Sequence, residues 1–182
     1  MKEVALGLDI STSKIGLCIM DYKFNILETT LIKLNTKDEL EDRCLFLEQY
    51  INNLNYLDKI NDSGYLIKDV YIESAFIAFS GGKTSAVTMS KLQRFNGMVC
   101  YMIKRLLDIQ PSLISPAKAR GLVRLKIKRG ENTKQKVIEH VEKSFPNDFK
   151  YELTRHGNPK PGTDDRADAI VIVWAGLNQR RS

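Results

Sequence analysis

The sequence predicts an α/β fold, a mixed five-stranded sheet flanked by helices. Three observations carry this. Short apolar, β-branched runs crowd the first 34 residues with only brief turns between them, as in antiparallel hairpins. Amphipathic helical periodicity begins only after that and then alternates with two further strand-like runs. The last apolar segment starts on an Asp-rich stretch and is too long for a strand, which makes it a buried helix. The element order is βββ-α-β-α-β-α-α, and such an order gives one sheet with helices packed on it.

The elements follow in chain order. Residues 3–11 read as a buried strand, 15–21 as a second and 25–34 as a third. Thr36 and Glu39 have the spacing of a capping box, and Leu40, Cys44, Leu47, Ile51 and Leu54 recur at helical steps, so a helix is expected over 37–57. Residues 61–64 (NDSG) form a loop and 67–75 a fourth strand. A long helix is expected over 85–108, with Leu92, Phe95, Val99, Met102 and Leu106 on one side. A short fifth strand covers 111–115. Asn132 or Thr133 caps a helix that ends before Pro146. The final helix covers 165–177, with Asp164 as its expected N-cap. Residues 147–164 are the loosest stretch, and no repeat or linker divides the chain, so 1–182 is expected to form one domain.

Composition narrows the function. The chain has 182 residues, 43% hydrophobic and 27% charged, which suits a globular core. No apolar run reaches the ~20 residues of a membrane span, and the N-terminus lacks the apolar stretch of a signal peptide. Cys18, Cys44 and Cys100 are odd in number and widely spaced, which predicts a reducing, cytoplasmic setting and no zinc site. Formal net charge is +6. Residues 118–136 hold eight cations (Lys118, Arg120, Arg124, Lys126, Lys128, Arg129, Lys134, Lys136) against one acid, Glu131, so that segment is +7 and the remainder −1. A basic strip on a near-neutral body fits a polyanion, because binding it releases counterions from phosphates.

Four acids stand in apolar surroundings. Asp9 closes the first strand, Glu73 lies near the end of the fourth, and Asp165 and Asp168 are three apart at the start of the last helix, on one of its faces. Taken singly, each has a structural reading: Asp9 with the Ser11–Ser13 turn, Glu73 in an ion pair, Asp165 on the helix dipole. Together they form an oxygen-only donor set, and mutual repulsion among buried carboxylates is relieved by Mg²⁺ or Mn²⁺. Two such ions about 4 Å apart activate a water and stabilise the leaving oxygen in phosphodiester hydrolysis.

These residues resemble the RuvC-type Holliday-junction resolvases, which have an RNase H-like fold. The resemblance spans roughly 3–177 and rests on GLDIS at 7–11, IES-x-F at 72–76, KLQRFNG at 91–97, NTKQKVIEHV at 132–141 and DDRADAIVI at 164–172. It implies catalytic, metal-holding acids at Asp9, Glu73, Asp165 and Asp168, with two Mg²⁺ per site and Mn²⁺ able to substitute. It also implies Lys134 as a phosphate-neutralising lysine, and a homodimer that nicks two opposed strands of branched DNA. Phe76 matches the family's base-contacting aromatic, and Lys118 or Arg120 a second basic position. The loop after them is longer than the family's and basic through Arg124, Lys126, Lys128 and Arg129. The 147–164 loop is also unlike compact bacterial members, and a phage or viral relative in an infected cell fits the chain.

Gly82-Lys83-Thr84 lacks the earlier glycine of a P-loop, so no nucleotide cofactor is expected and Lys83 is placed on DNA instead. The hairpin LDISTSKIGL also resembles a phosphate loop of sugar-kinase ATPases, which need two such domains. The alternatives are another RNase H-like nuclease, acting on RNA–DNA hybrids or flaps, and a non-catalytic junction-binding protein. His140 is expected on an exposed helix face, Trp174 in the core or a dimer interface.

Overall fold

The computed structural model describes residues 2–61, 64–75 and 86–181. Phe76 and Lys83 lie outside the described residues. Strands β1 (Lys2–Ile10), β2 (Lys14–Asp21) and β3 (Ile26–Lys33) form an antiparallel meander. Helix α1 (Leu40–Asn61) then leads to β4 (Tyr65–Glu73), which pairs parallel with β1, and α2 (Ala86–Leu107) leads to β5 (Ser112–Ile114), parallel with β4. Helices α3 (Pro116–Leu122), α4 (Thr133–Ser144) and α5 (Thr163–Arg181) follow. The sheet order is β3-β2-β1-β4-β5. Among the described residues no helix is long and apolar enough to cross a membrane.

Strand alternation divides the core into two layers. Leu6, Leu8, Leu17, Ile19, Val70 and Ile72 face α1 and α2, packing with Leu47, Ile51, Phe95, Val99 and Ile103. Ala5, Cys18, Met20 and Tyr71 face the other way, against α5 and α4. Helix α5 is apolar almost all round because it lies between the sheet and the outer helices: Ala167, Ala169, Ile170, Val173 and Ala175 are fully covered. The IVIVW run is therefore helical, as its length requires.

Glycine lets α5 descend onto the sheet. A Cβ on Gly16 would sit 2.0 Å from the Asp165 carbonyl oxygen, and one on Gly7 2.5 Å from that of Ala169. Both obstacles are backbone, so no side chain can yield. Gly16→Ala is expected to lift the start of α5 and destabilise the fold by about 3 kcal/mol, lowering the melting temperature by roughly 6–12 °C. A melting curve superposable on that of the unsubstituted protein would show that α5 does not seat here.

Four expectations need correction. The Thr36–Glu39 capping box does not form: Thr36 sits in a turn organised by Asn35, whose amide donates to Asp38 Oδ1 (2.7 Å) and whose Oδ1 accepts from Lys37 N (3.2 Å), and α1 starts only at Leu40. The Asx-type turn competes for the same backbone and wins. Helix α3 was not anticipated, although Ser115 as N-cap followed by Pro116 is a helix-start signal. Asp164 is not an N-cap, because α5 already begins at Thr163. His140 is not a free face residue: it is half-buried, its ring stacks on Trp174 at 5.4 Å, and its Nε2 lies 3.0 Å from the Val123 carbonyl oxygen. The other elements lie within a few residues of their expected bounds.

Candidate active site

The acids come together through strand periodicity. On β1, Asp9 is two residues beyond Gly7 and so points to the α5 face; on β4, Glu73 is two beyond Tyr71 and does the same. Leu8 is in register with Ile72 across the parallel pair, so Asp9 and Glu73 are neighbours at the same strand ends. Gly16, opposite Asp9 on β2, brings the first turn of α5 onto this spot with Asp165 and Asp168. Asn96, buried in α2, donates from Nδ2 to the Glu73 carbonyl oxygen at 3.0 Å, and Ser74 N donates to Ile114 O at 3.0 Å. These contacts fix the strand end on which Glu73 stands. The KLQRFNG stretch carried Asn96 in the sequence, but nothing local indicated a bond so distant along the chain.

Electrostatics marks the cluster as short of positive charge. Burial, then Glu73, Asp168, Asp165 and Asp164 in turn, pushes the Asp9 carboxyl up to about 8. Burial and then Asp168 raise Glu73 to about 7. Burial, Asp164 and Asp165 raise Asp168 to about 6. Arg120 on α3 opposes the last two shifts, and Lys134 on α4 also opposes that of Asp168. Lys134 Nζ donates to Asp164 Oδ2 at 2.5 Å; although burial works the other way, this contact keeps Asp164 below the usual carboxylate range, and it raises Lys134. Lys14, on β2, donates to Asp165 Oδ2 at 2.5 Å. The sequence reading missed Lys14, whose role depends on α5 crossing β2.

As the side chains stand, no three acids among the described residues share one ion's coordination sphere. Asp165 is drawn to Lys14 and Asp164 to Lys134. The donor chemistry nevertheless fits a hard divalent cation: the donors are all oxygen, and no described residue donates a hydrogen bond to the Asp9, Glu73 or Asp168 carboxylate. Buried carboxylates left this way hold protons or a cation.

The basic residues sort into two groups. Arg120 is half-buried and turned toward the acids, which favours it over exposed Lys118 as the basic partner from α3. Arg124 is exposed in a left-handed turn after α3 (φ 58°), and beyond it Lys126 and Lys128 are exposed while Leu125 and Ile127 are half-buried, so these cations face outward and are followed by exposed Arg129. Arg120→Met is expected to raise the Glu73 and Asp168 carboxyls further, moving the acidic limb of a pH–rate profile to higher pH. An unmoved limb would place Arg120 outside the site.

No protein-family model and no curated protein matches the sequence. Solved structures do. RuvC of Thermus thermophilus in complex with a Holliday junction substrate superposes with a TM-score of 0.65 at 12% identity, covering 98% of this chain and 95% of that one. The chain has the RuvC fold. A second T. thermophilus RuvC structure gives 0.61 at 15% identity with the same coverages. The yeast mitochondrial Holliday junction resolvase gives 0.52 at 13%, covering 97% of this chain and 80% of that one. The expected RNase H-like sheet and its flanking helices are thus seen in solved relatives of the fold, with little sequence in common.

Proposed function

We propose that this RuvC-fold protein is a divalent-cation-dependent endonuclease that resolves branched DNA, chiefly four-way junctions, as a homodimer making paired nicks inside the cell. The observation that carries this is the convergence of Asp9, Glu73, Asp165 and Asp168 from β1, β4 and α5 onto one face, with three of them raised well above the usual carboxylate range. The fold shared with a RuvC solved on a Holliday junction supports the choice of substrate.

In this reading the four acids hold Mg²⁺, two ions per site, with Mn²⁺ substituting. Bound there, the metal supplies an acidified water and neutralises charge on the scissile phosphate. The protein's own groups do the rest. Glu73 is kept in position by the Asn96 amide. Arg120 and Lys134, beside the acids, stabilise negative charge that grows on the phosphate oxygens. Lys14 pairs with Asp165 and gives that carboxylate up when it ligates. The exposed strip from Arg124 to Arg129 follows a duplex arm through phosphate contacts.

The test is incubation of purified protein with a mobile four-way junction, a flap, an RNA–DNA hybrid and linear duplex, with and without Mg²⁺, resolved on a denaturing gel. Paired nicks in the junction alone, dependent on Mg²⁺, are expected. Preferred cutting of the hybrid or flap would make it another nuclease of this fold, and junction binding without cutting would make it a binding protein.

A further inference from the structure

At the β3 edge of the sheet, β3, the connection from Lys150 to Gly162 and the first turn of α5 enclose an open cleft of about 650 Å³. It lies away from the 118–129 part of the basic strip, since α3 follows β5 at the opposite edge of the sheet, while Lys134 of that strip reaches Asp164 in the first turn of α5. Lys150, Lys160 and Arg166 line it with one acid, Glu152, for a local charge of +2. Lys160 is paired with Glu152, whereas the Lys150 ammonium has no partner among the described residues. Arg166 lies over the Phe149 ring, 5.4 Å from its centre, and donates from one terminal nitrogen to the Lys150 carbonyl oxygen at 3.1 Å.

Two buried side-chain atoms among the described residues lack a hydrogen-bond partner, Thr29 Oγ1 and Arg166 Nε. Both residues line this cleft. A buried polar atom left unpaired costs stability, so two in one place call for an explanation. Neither atom has open surface as the side chains stand, so an acceptor reaches them only where the cleft wall moves aside; each then donates a hydrogen bond, and the cations around them select an anionic acceptor. Arg166 is also the residue after Asp165, so whatever occupies the cleft lies beside the acidic site.

We propose that this cleft is a second docking site for the DNA phosphate backbone, holding the strand as it enters the acidic site from the β3 edge. The inference rests on the nuclease reading and extends it: DNA is gripped on both flanks of the acids, by the 118–129 stretch on one and by Thr29, Lys150, Lys160 and Arg166 on the other. The long 147–164 loop thereby gains a role, as the wall that carries two of these cations.

The experiment measures binding of a fluorescent four-way junction in EDTA, so that cleavage does not intrude, over a series of salt concentrations. The charge-reversed protein K150E/K160E is compared with K23E/K68E, which changes net charge equally at exposed lysines near the opposite strand ends. K150E/K160E is expected to bind about tenfold more weakly than that control, with a salt slope reduced by about two. Thr29→Val should raise the melting temperature slightly by removing an unpaired hydroxyl while weakening binding several-fold, a combination that a purely structural role does not produce. Equal affinities for the two charge-reversed proteins, or a Thr29→Val variant that binds normally, would overturn the cleft and leave the nuclease reading standing. Failure of the unsubstituted protein to bind DNA would overturn both.

Discussion

Asp9→Asn is expected to abolish strand cleavage, by about three orders of magnitude or more, while junction binding in EDTA persists and the fold becomes more stable at alkaline pH. The two halves have one cause. Asp9 stands at the middle of the acid cluster, and Glu73, Asp168, Asp165 and Asp164 all act on it. With its carboxyl pushed to about 8 from an ordinary 3.8, the folded state holds a proton there that the unfolded chain has already released at neutral pH. Linkage then gives the sign. Where the folded state binds more protons, stability falls as pH rises, here between about 4 and 8, with the full loss present above 8. The penalty is on the order of a few kcal/mol in the cation-free protein. Asparagine cannot ionise, so the variant escapes it. Thermal melts in EDTA at pH 6 and pH 9 should show the unsubstituted protein losing stability between them and Asp9→Asn losing less. Persistence of cleavage in Asp9→Asn would remove the acid from the chemistry. A melting temperature lower than that of the unsubstituted protein at pH 9 would instead make Asp9 a structural anchor.

How far this site was legible in the sequence depends on the range of the interaction concerned. Asp9, Glu73, Asp165 and Asp168 were visible because each interrupts an apolar run at the end of a strand or the start of a helix, and alternation by two is enough to place Asp9 and Glu73 on one face. The order of elements followed from periodicity, and short turns fixed the meander. What escaped depended on contacts across the sheet. Lys14 looked like a turn residue until α5 was laid over Gly16. Asn96 is 23 residues beyond Glu73, in a helix that carries none of the acids, and only the fold brings its amide to the Glu73 carbonyl. The choice between Lys118 and Arg120 needed the axis of α3, an element that the basic composition of its surroundings concealed despite Ser115-Pro116. The Thr36 capping box failed for a local reason, since Asn35 offered the same backbone a competing turn.

A divalent cation is expected to stabilise the protein strongly above pH 8 and little at pH 6. Metal and protons compete for the same oxygens: carboxyls raised to about 8, 7 and 6 on Asp9, Glu73 and Asp168 must be deprotonated before they can ligate. Binding should therefore release protons near neutrality, and calorimetric heats in buffers of different ionisation enthalpy would count them. A ligand present at a hundredfold excess over its Kd adds about 2.7 kcal/mol, or roughly 5–11 °C in melting temperature for a chain of this size. Ca²⁺ serves as well as Mn²⁺ for this measurement, because stabilisation requires binding alone. Lys14 sharpens the expectation. Its ammonium holds Asp165 at 2.5 Å, so a cation entering the site must displace it. Lys14→Met should lower the cation concentration needed for half-maximal stabilisation, even though it removes an ion pair from the fold. If the substitution leaves that midpoint unchanged, or if the cations stabilise equally at pH 6 and pH 9, the acids do not act together as a ligand set and their elevated carboxyls need another explanation.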